Sequence, residues 1–590
     1  MPEPTPADRE SPKRWQAIAF HLKTRIFQSC RLFSELGRRP PKHTPQTPQT
    51  EVPIISEKRA PLWRDISAAE FPLTAGKVEN LRCAARAFHG LEIPAGEIFS
   101  FWRQLGRTTR RKGYISGREL REGCLVPAIG GGLCQLSGLL YQAALDAGFQ
   151  IIERHAHSRV VAGSTAEQDL DATVFWNYVD LRFSSTHAWQ LQVELTASEL
   201  VVRIRAATEK VATPLKVPTP RLDRPAPTGD CLTCGMLECF RHPAATAEHS
   251  AANGHSTYLL DARWPEFDQW CRDHAHENDR WFIPLDGRRW KKPAYQWSAP
   301  PAVRVRHATM TTLLRAFRQR HIPAQGASRQ RALLRGESDL AKKYAAMLHH
   351  QCRHVVISQN LLPYLWKSGA LGGRTFDVLM ERLPLELLQH RLDLAKFAQP
   401  ESTTLGDFRA APEIVLAERQ ALAAAGRLIT PHRDIAAHFP DRAWLIDWEM
   451  PVPLVAAPSP RPVIFFPASR LGRKGAFELA AALRGEIDAE LKFLGKATEG
   501  STDPFAEITS SPAAIRDLAS AHLLVLPAWV EHQPRLALLA LASGIPVVAT
   551  RACGLPEHPL LHQLNQPDPL ALRLILRAIL SPVDHSCAAS

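Results

Sequence analysis

At 590 residues, with 45% hydrophobic and 22% charged content, the chain is too long for one hydrophobic core and predicts two or three domains of ordinary soluble composition. Its net charge of +13 suits anionic partners such as nucleotide sugars, lipid phosphates or nucleic acid, and no nucleic-acid-binding motif accompanies it, which sets the last aside. Eleven cysteines at irregular spacing argue for a reducing compartment over a disulfide framework, and no run of about twenty apolar residues offers a membrane span.

The N-terminus carries Arg9, Lys13, Arg14 and Lys23, which break up any apolar signal core. The expected location is therefore cytoplasmic, or peripheral at the inner membrane surface. Residues 12–37 predict one amphipathic helix, because Trp15, Ile18, Ala19, Leu22, Ile26, Cys30 and Phe33 recur at helical spacing, with Lys23, Arg25, Arg31 and Glu35 largely off that stripe. Two uses are open: lying on an anionic membrane surface, or docking on the protein itself, which is the commoner fate. Residues 38–53, rich in Pro, Thr and Gln, read as a linker.

Val78 to Gly90 predicts a helix, with Val78, Leu81, Ala85 and Phe88 on one face, and Glu97 to Trp102 reads as extended. Next comes Ile129-Gly130-Gly131-Gly132-Leu133-Cys134-Gln135, where three glycines deliver a cysteine to the start of a helix that ends at Gly148. There the helix dipole and free amide hydrogens favour a thiolate. Phe149 to Ser158 reads as a strand ending in His155 and His157, and Asp171 to Phe175 as a second strand. Cys134 as nucleophile, His155 or His157 as base and Asp171 as its orienter would suit thiol acyl transfer. The plainer alternative is a small buried cysteine beside a glycine turn, with the histidines satisfied in the core. Trp189 to Glu194 and Leu200 to Ile204 read as a closing hairpin, and Pro214 to Pro227 marks a boundary.

Several of these residues carry a family resemblance. Ile93-Pro94-Ala95-Gly96-Glu97-Ile98-Phe99-Ser100-Phe101-Trp102, Gly113-Tyr114, Gly130-Gly131-Gly132-Leu133-Cys134-Gln135, Glu153-Arg154-His155-Ala156-His157-Ser158 and Asp171-Ala172-Thr173-Val174 together resemble the VanW-like family, over about residues 60 to 210. That resemblance implies a domain without implying a reaction.

Cys231, Cys234, Cys239 and His242 form a Cys-x2-Cys-x4-Cys-x2-His cluster that suits structural zinc, with an iron–sulfur cluster or unligated thiols as the alternatives. Trp264 to Trp297 is dense in aromatics, including Trp270, Trp281, Trp290 and Tyr295, a composition used for binding sugar or, more often, for packing between domains.

From about Arg304 onward, short apolar strands alternate with helices, the pattern of doubly wound α/β domains. Strands are expected at residues 354–358, 462–466, 491–495, 523–527 and 546–550. Ligands in such sheets bind at the carboxyl ends of strands. Arg470 and Lys474 follow one such end and could hold a diphosphate; a solvated loop is the alternative. Glu531 follows another, ahead of an apolar helix.

Ser469-Arg470-Leu471-Gly472-Arg473-Lys474-Gly475 and Glu531 resemble the nucleotide-sugar half of GT-B glycosyltransferases similar to family 4, over about residues 460 to 580. By that resemblance Arg470 and Lys474 bind donor phosphates, and Glu531 is the first glutamate of a Glu-x7-Glu motif contacting the donor sugar. The second falls on Leu539, which cannot accept a hydrogen bond from a ribose. Residues 304–450 are a weaker match to the acceptor half, with Gly372-Gly373-Arg374 and Thr430-Pro431-His432 expected to face the cleft.

The chain is thus expected to be multidomain: an α+β VanW-like domain followed by an α/β doubly wound GT-B-like module. Expected boundaries are 1–60 for the helix and linker, 61–210 for the VanW-like domain, 211–300 for a Cys- and Trp-rich connector, 301–455 for the acceptor side and 456–590 for the donor side. The expected function is sugar transfer from a nucleotide sugar to a glycan or glycolipid of the cell envelope. Open alternatives are a Cys134-dependent acyl or peptide transferase and a catalytically decayed glycan-binding or scaffold protein.

Overall fold

Two apolar periodicities dominate the chain, helical and alternating before residue 206 and short continuous strand runs after residue 255. The computed structural model describes residues 14–37, 39–45, 51–63, 70–121, 124–157, 168–207, 255–320, 322, 326–455, 457, 459–485, 487–496, 499 and 503–580. The chain divides into two compact units: the first holds residues up to 255 with 348–353 and 368–375, and the second holds the remainder. The cluster Cys231, Cys234, Cys239 and His242 and the Pro-rich segment 214–227 lie outside the described residues.

The first unit is α+β. Its elements are α1 (Arg14–Ser34), β1 (Ile54–Pro61), α2 (Phe71–Phe88), β2 (Leu91–Ile93), β3 (Ile98–Ser100), α3 (Phe101–Leu105), β4 (Ser116–Arg121), β5 (Cys124–Ile129), α4 (Leu133–Asp146), β6 (Gln150–Glu153), β7 (Arg182–Ser184), β8 (Trp189–Leu195) and β9 (Glu199–Arg205). One antiparallel sheet runs β1-β9-β8-β2, a second runs β3-β7-β6, and β4 and β5 form a hairpin. The core joins Val78, Leu81 and Phe88 of α2 to Leu136, Leu139 and Leu140 of α4 and to Phe99, Phe183, Trp189 and Phe149, whose rings stack or pack tilted against one another. Each such side chain stabilises the unit by about 1.5–3 kcal/mol through removal from water.

Three expected strands are shorter than their sequence suggests or absent, the first being Phe149 to Ser158, which is strand only over β6, so that His155 and His157 follow it in an irregular segment. Glu97 to Trp102 is extended only over β3, because the Ser100 hydroxyl accepts from Arg103 N at 3.1 Å and starts α3. Asp171 to Phe175 joins no ladder: Thr173 N donates to His155 O at 2.7 Å, while the Asp171 side chain turns to the residues before it.

The second unit holds two parallel sheets, with every recorded pairing parallel, as expected for doubly wound α/β domains. The first contains β10 (Ser256–Leu259), β11 (Arg280–Ile283), β12 (Arg304–His307), β13 (His354–Ser358), β14 (Thr375–Leu379), β15 (Leu428–Thr430) and β16 (Ala443–Leu445), in the order β12-β11-β10-β13-β14-β15-β16. The second contains β17 (Val463–Phe466), β18 (Glu490–Phe493), β19 (Ser510–Pro512), β20 (Leu523–Leu526), β21 (Val547–Thr550) and β22 (Leu561–Leu564), in the order β19-β18-β17-β20-β21-β22. Strand order reverses between β10 and β13 and between β17 and β20, which opens a crevice at the carboxyl end of each sheet.

The Trp-rich segment assigned to a connector belongs instead to the first of these sheets, to which it gives β11, directly after β10. Trp264, Trp270, Trp281 and Trp297 are buried in its core, so these aromatics fill an interior and do not line a linker; Trp290 is exposed. Gly372-Gly373-Arg374, expected at a cleft of the second half, falls in the first unit. There Arg82 Nε donates to Gly372 O at 2.7 Å and Gly373 N donates to Thr196 O at 2.8 Å. Arg374 is buried and donates to the carbonyls of Cys352 at 3.0 Å and His349 at 3.2 Å.

The glycine turn before α4 is fastened by Asn80. Its Nδ2 donates to Gly131 O at 2.9 Å and to Ile115 O at 3.1 Å, and its Oδ1 accepts from Ile115 N at 2.9 Å. Asn80→Ala orphans these buried groups and is expected to lower the stability of the first unit by about 2–4 kcal/mol. Hydrogen exchange over residues 71–146 would rise; unchanged protection would show that the turn does not depend on Asn80.

Candidate functional site

In the first unit, the expected cysteine, one of the two histidines and the aspartate come together. Gly132, at φ +99°, is the N-cap of α4 and leaves Cys134 in its first turn. Gly131 sits against the hairpin: an added Cβ would lie 2.5 Å from Gly117 O. The other side of α4 is tied to the loop that carries the aspartate, through Ser137 Oγ donating to Ala172 O at 2.6 Å and Gln142 Nε2 to Leu170 O at 2.9 Å. Cys134 Sγ lies 3.7 Å from Thr173 Oγ1.

Asp171, buried, accepts from His157 N at 2.8 Å and pairs with His157 Nδ1 at 2.5 Å. Its other oxygen accepts from Arg154 at 2.9 Å. Nδ1 being engaged, Nε2 is the ring nitrogen left for the thiol. Burial opposes charge on His157, but hydrogen bonds to Asp171 and Cys134 push its pKa up to about 10. Burial likewise disfavours the Cys134 thiolate, yet the hydrogen bond and charge of His157 outweigh it and hold the thiol below its ordinary value. Asp171 is raised by burial and lowered more by His157, so it stays ionised. His155 is exposed and lies 3.2 Å from Glu153 Oε1, away from this chain of contacts. The arrangement pairs a thiol with an imidazole and an orienting carboxylate, in surroundings that favour the thiolate–imidazolium form, which can attack an electrophilic carbon and return a proton to a leaving group.

In the second unit, loops at the carboxyl ends of strands carry the expected basic and acidic residues. Lys474 Nζ pairs with Glu531 Oε2 at 2.5 Å, and Glu531 Oε1 accepts from Gln533 N at 3.0 Å. Burial raises the Glu531 pKa, Lys474 lowers it more, and the carboxylate remains charged. Arg470 is engaged elsewhere, paired with Asp503 and stacked 4.4 Å over the Phe493 ring. His432 Nδ1 accepts from Ile435 N at 3.3 Å, so Nε2 carries the hydrogen and donates to Glu531 O at 2.8 Å; burial keeps the ring neutral. An added Cβ at Gly554 would lie 2.1 Å from His432 Nδ1, so that position admits only glycine. Leu539 packs against the core.

Three acidic residues of this region escape a motif reading. Glu499 accepts from Gly472 N at 2.6 Å, Ser402 Oγ at 2.8 Å, Thr403 N at 3.0 Å and Thr404 Oγ1 at 2.7 Å, which fixes the glycine loop beside Lys474. Glu381 follows β14, where burial and then Asp261 push its pKa up to about 8, and its Oε1 has no hydrogen-bond partner among the described residues. Asp261 follows β10 and takes both contacts of Arg315 at 3.0 Å. For Asp261 and Glu381 the one sequence signal is position, two residues past an apolar strand; Glu499, six residues past β18, has none. Among the described residues no cluster of three or more His, Cys, Asp or Glu is placed to hold a metal ion.

Residues 76–206 match the family model described as VanW like protein. The chain is 34% identical over 160 residues to the vancomycin B-type resistance protein VanW of Enterococcus faecalis (strain ATCC 700802 / V583), covering 26% of this chain and 58% of that one. It is 37% identical over 108 residues to the uncharacterized protein YoaR of Bacillus subtilis (strain 168), covering 18% and 35%. It therefore spans well under two thirds of the length of either curated relative. Among solved structures, sucrose-phosphate synthase from Thermosynechococcus elongatus aligns at 13% identity over 56% of this chain and 90% of its own, with a TM-score of 0.38. The lipopolysaccharide outer core galactosyltransferase WaaB aligns at 12% identity over 55% and 90%, with a TM-score of 0.34.

The ion pair at Cys134 has a kinetic signature. Alkylation of Cys134, followed by peptide mass spectrometry, is expected to climb to its plateau at lower pH than that of a free thiol, because the His157 proton favours the thiolate. In His157→Ala the rate should rise about tenfold per pH unit toward the free-thiol value of about 8.5. An ordinary thiol profile in the unsubstituted protein would refute the pairing.

Proposed function

We propose that the second unit transfers a sugar from a nucleotide-sugar donor to a glycan or glycolipid acceptor in cell-envelope assembly. The observation that carries this reading is the Lys474–Glu531 pair, set on loops that follow β17 and β20 on either side of the strand-order reversal. A diphosphate there would draw on the Lys474 ammonium and, once released from Asp503, on the Arg470 guanidinium. Glu531 is left to accept hydrogen bonds from sugar hydroxyls. As the bond from sugar C1 to the diphosphate oxygen breaks, the leaving oxygen keeps the electron pair and the two cations offset its charge. The acceptor hydroxyl bonds to C1 and gives up its proton. Glu381 has the pKa for that proton, and its loop reaches the donor side, where Leu383 N lies 3.5 Å from His532 Nε2.

A second reading concerns the first unit, and the chain Asp171–His157–Cys134 favours it: acyl or peptide transfer through a Cys134 thioester. The thiolate attacks a carbonyl carbon, His157 protonates the departing group, and an acceptor amine or water later releases the acyl group. The amide hydrogens of the first turn of α4 are suited to the oxyanion.

For the first reading, calorimetric titration with a panel of nucleotide sugars should show binding that falls at least about tenfold in Lys474→Ala and in Arg470→Ala. Leu539→Glu, which restores a carboxylate for the ribose, should tighten it by a similar factor. If no nucleotide sugar binds, the reading fails; binding of free glycans without nucleotide release would mark a decayed transferase. For the second, mass spectrometry should detect an acyl adduct on Cys134 after exposure to an activated ester. Cys134→Ala should abolish it and His157→Ala should slow it, and the lack of any adduct in the unsubstituted protein would exclude this chemistry.

A further inference from the structure

Helix α1 is docked with its polar side inward. Thr24, Gln28, Arg31 and Glu35 share one face, and that face is partly buried on the first unit. Gln28 Nε2 donates to Trp176 O at 3.1 Å, and Asn177 Nδ2 donates to Gln28 O at 3.1 Å. Arg31 makes two contacts with Glu153, at 2.9 and 2.7 Å, and Glu35 pairs with Arg31 and Arg182. A helix turns by about 100° per residue, so the opposite face carries Leu22, Ile26, Phe33 and Leu36. These are 63%, 55%, 71% and 68% exposed, the reverse of the usual amphipathic arrangement.

We propose that this outward stripe is a docking face for an anionic lipid surface. Lys23 and Arg25, both exposed, border the stripe on its two sides, where their stems can lie along acyl chains and their charges among headgroups. The only acid in the described part of the helix and its end, Glu35, is spent on Arg31 and Arg182. A second copy fits the face less well, because a twofold apposition of α1 on itself brings these cationic borders against one another. Half-buried ion pairs on the inner face set the rotation of the helix, so the apolar side is held outward before any surface is met. This inference is independent of the chemistry proposed for either unit.

The test is co-sedimentation of the full chain with phosphatidylglycerol–phosphatidylcholine vesicles and with phosphatidylcholine vesicles. Binding should favour the anionic vesicles and weaken with added salt. Ile26→Ser/Phe33→Ser should lower it at least about tenfold, while the circular dichroism spectrum and the Cys134 alkylation rate stay unchanged. Lys23→Glu/Arg25→Glu should remove the preference for anionic lipid. The proposal is overturned if the unsubstituted protein sediments with neither vesicle, if it binds both equally, or if the serine variant binds as well as the parent. It is also overturned if the parent is a dimer that the serine variant turns into a monomer without either form binding vesicles.

Discussion

The carboxylate of Asp171 is the point on which the first unit's chemistry rests. One oxygen is claimed by Arg154 and the other by the backbone and ring of His157, so a single buried charge fixes the position and the protonation of the imidazole. A buried carboxylate without such partners would neutralise itself; here three donors keep it ionised, and the imidazole can hold its proton up to about 10. Cys134 inherits its low pKa from that proton. The helix start, the glycine turn and the Ser137 contact only bring the sulfur to the place where the field already exists.

The second unit solves a related electrostatic problem in another way. Its strands are followed by buried or half-buried acids, which meet a cation, accept from amides and hydroxyls as Glu499 does, or shift toward neutrality. Asp261 meets Arg315, Glu531 meets Lys474, and Glu381, lacking a cation of its own, rises to about 8. Charged and neutral carboxyl groups thus stand on neighbouring loops, a distribution that favours one site holding phosphate and another moving a proton.

Much of this was legible in the sequence where one local rule decides the outcome. Four apolar runs of the second half form β13, β17, β20 and β21 within a residue of their expected limits, because a strand buried on both faces admits little else, whereas β18, with Lys492 half-buried, ends two residues early. Gly-Gly-Gly before Leu133 forecasts the helix start for the same reason. What stayed hidden depends on partners far away in the chain. His155 and His157 differ only by which side of an extended segment they leave, and Asp171 makes the choice. The tryptophans of 264–297 look the same in a linker as in a core, and the pairing of β11 with β10 and β12 separates the two. The helix at the N-terminus was recognisable by its stripe, whereas the direction the stripe faces is set by Glu153 and Arg182, more than a hundred residues away.

The clamp formed by Glu499 has a consequence for biosynthesis. Ser402 and its partner Glu499 are separated by 97 positions in the chain, and Thr403 and Thr404 donate to the same carboxylate. At roughly 5–20 residues per second, translation leaves that loop waiting roughly 5–20 seconds for its anchor. The first parallel sheet of the second unit is therefore made with one rim unfinished, and the nascent chain passes through an interval in which the glycine loop at 472 and the loop at 402–404 both await the same side chain.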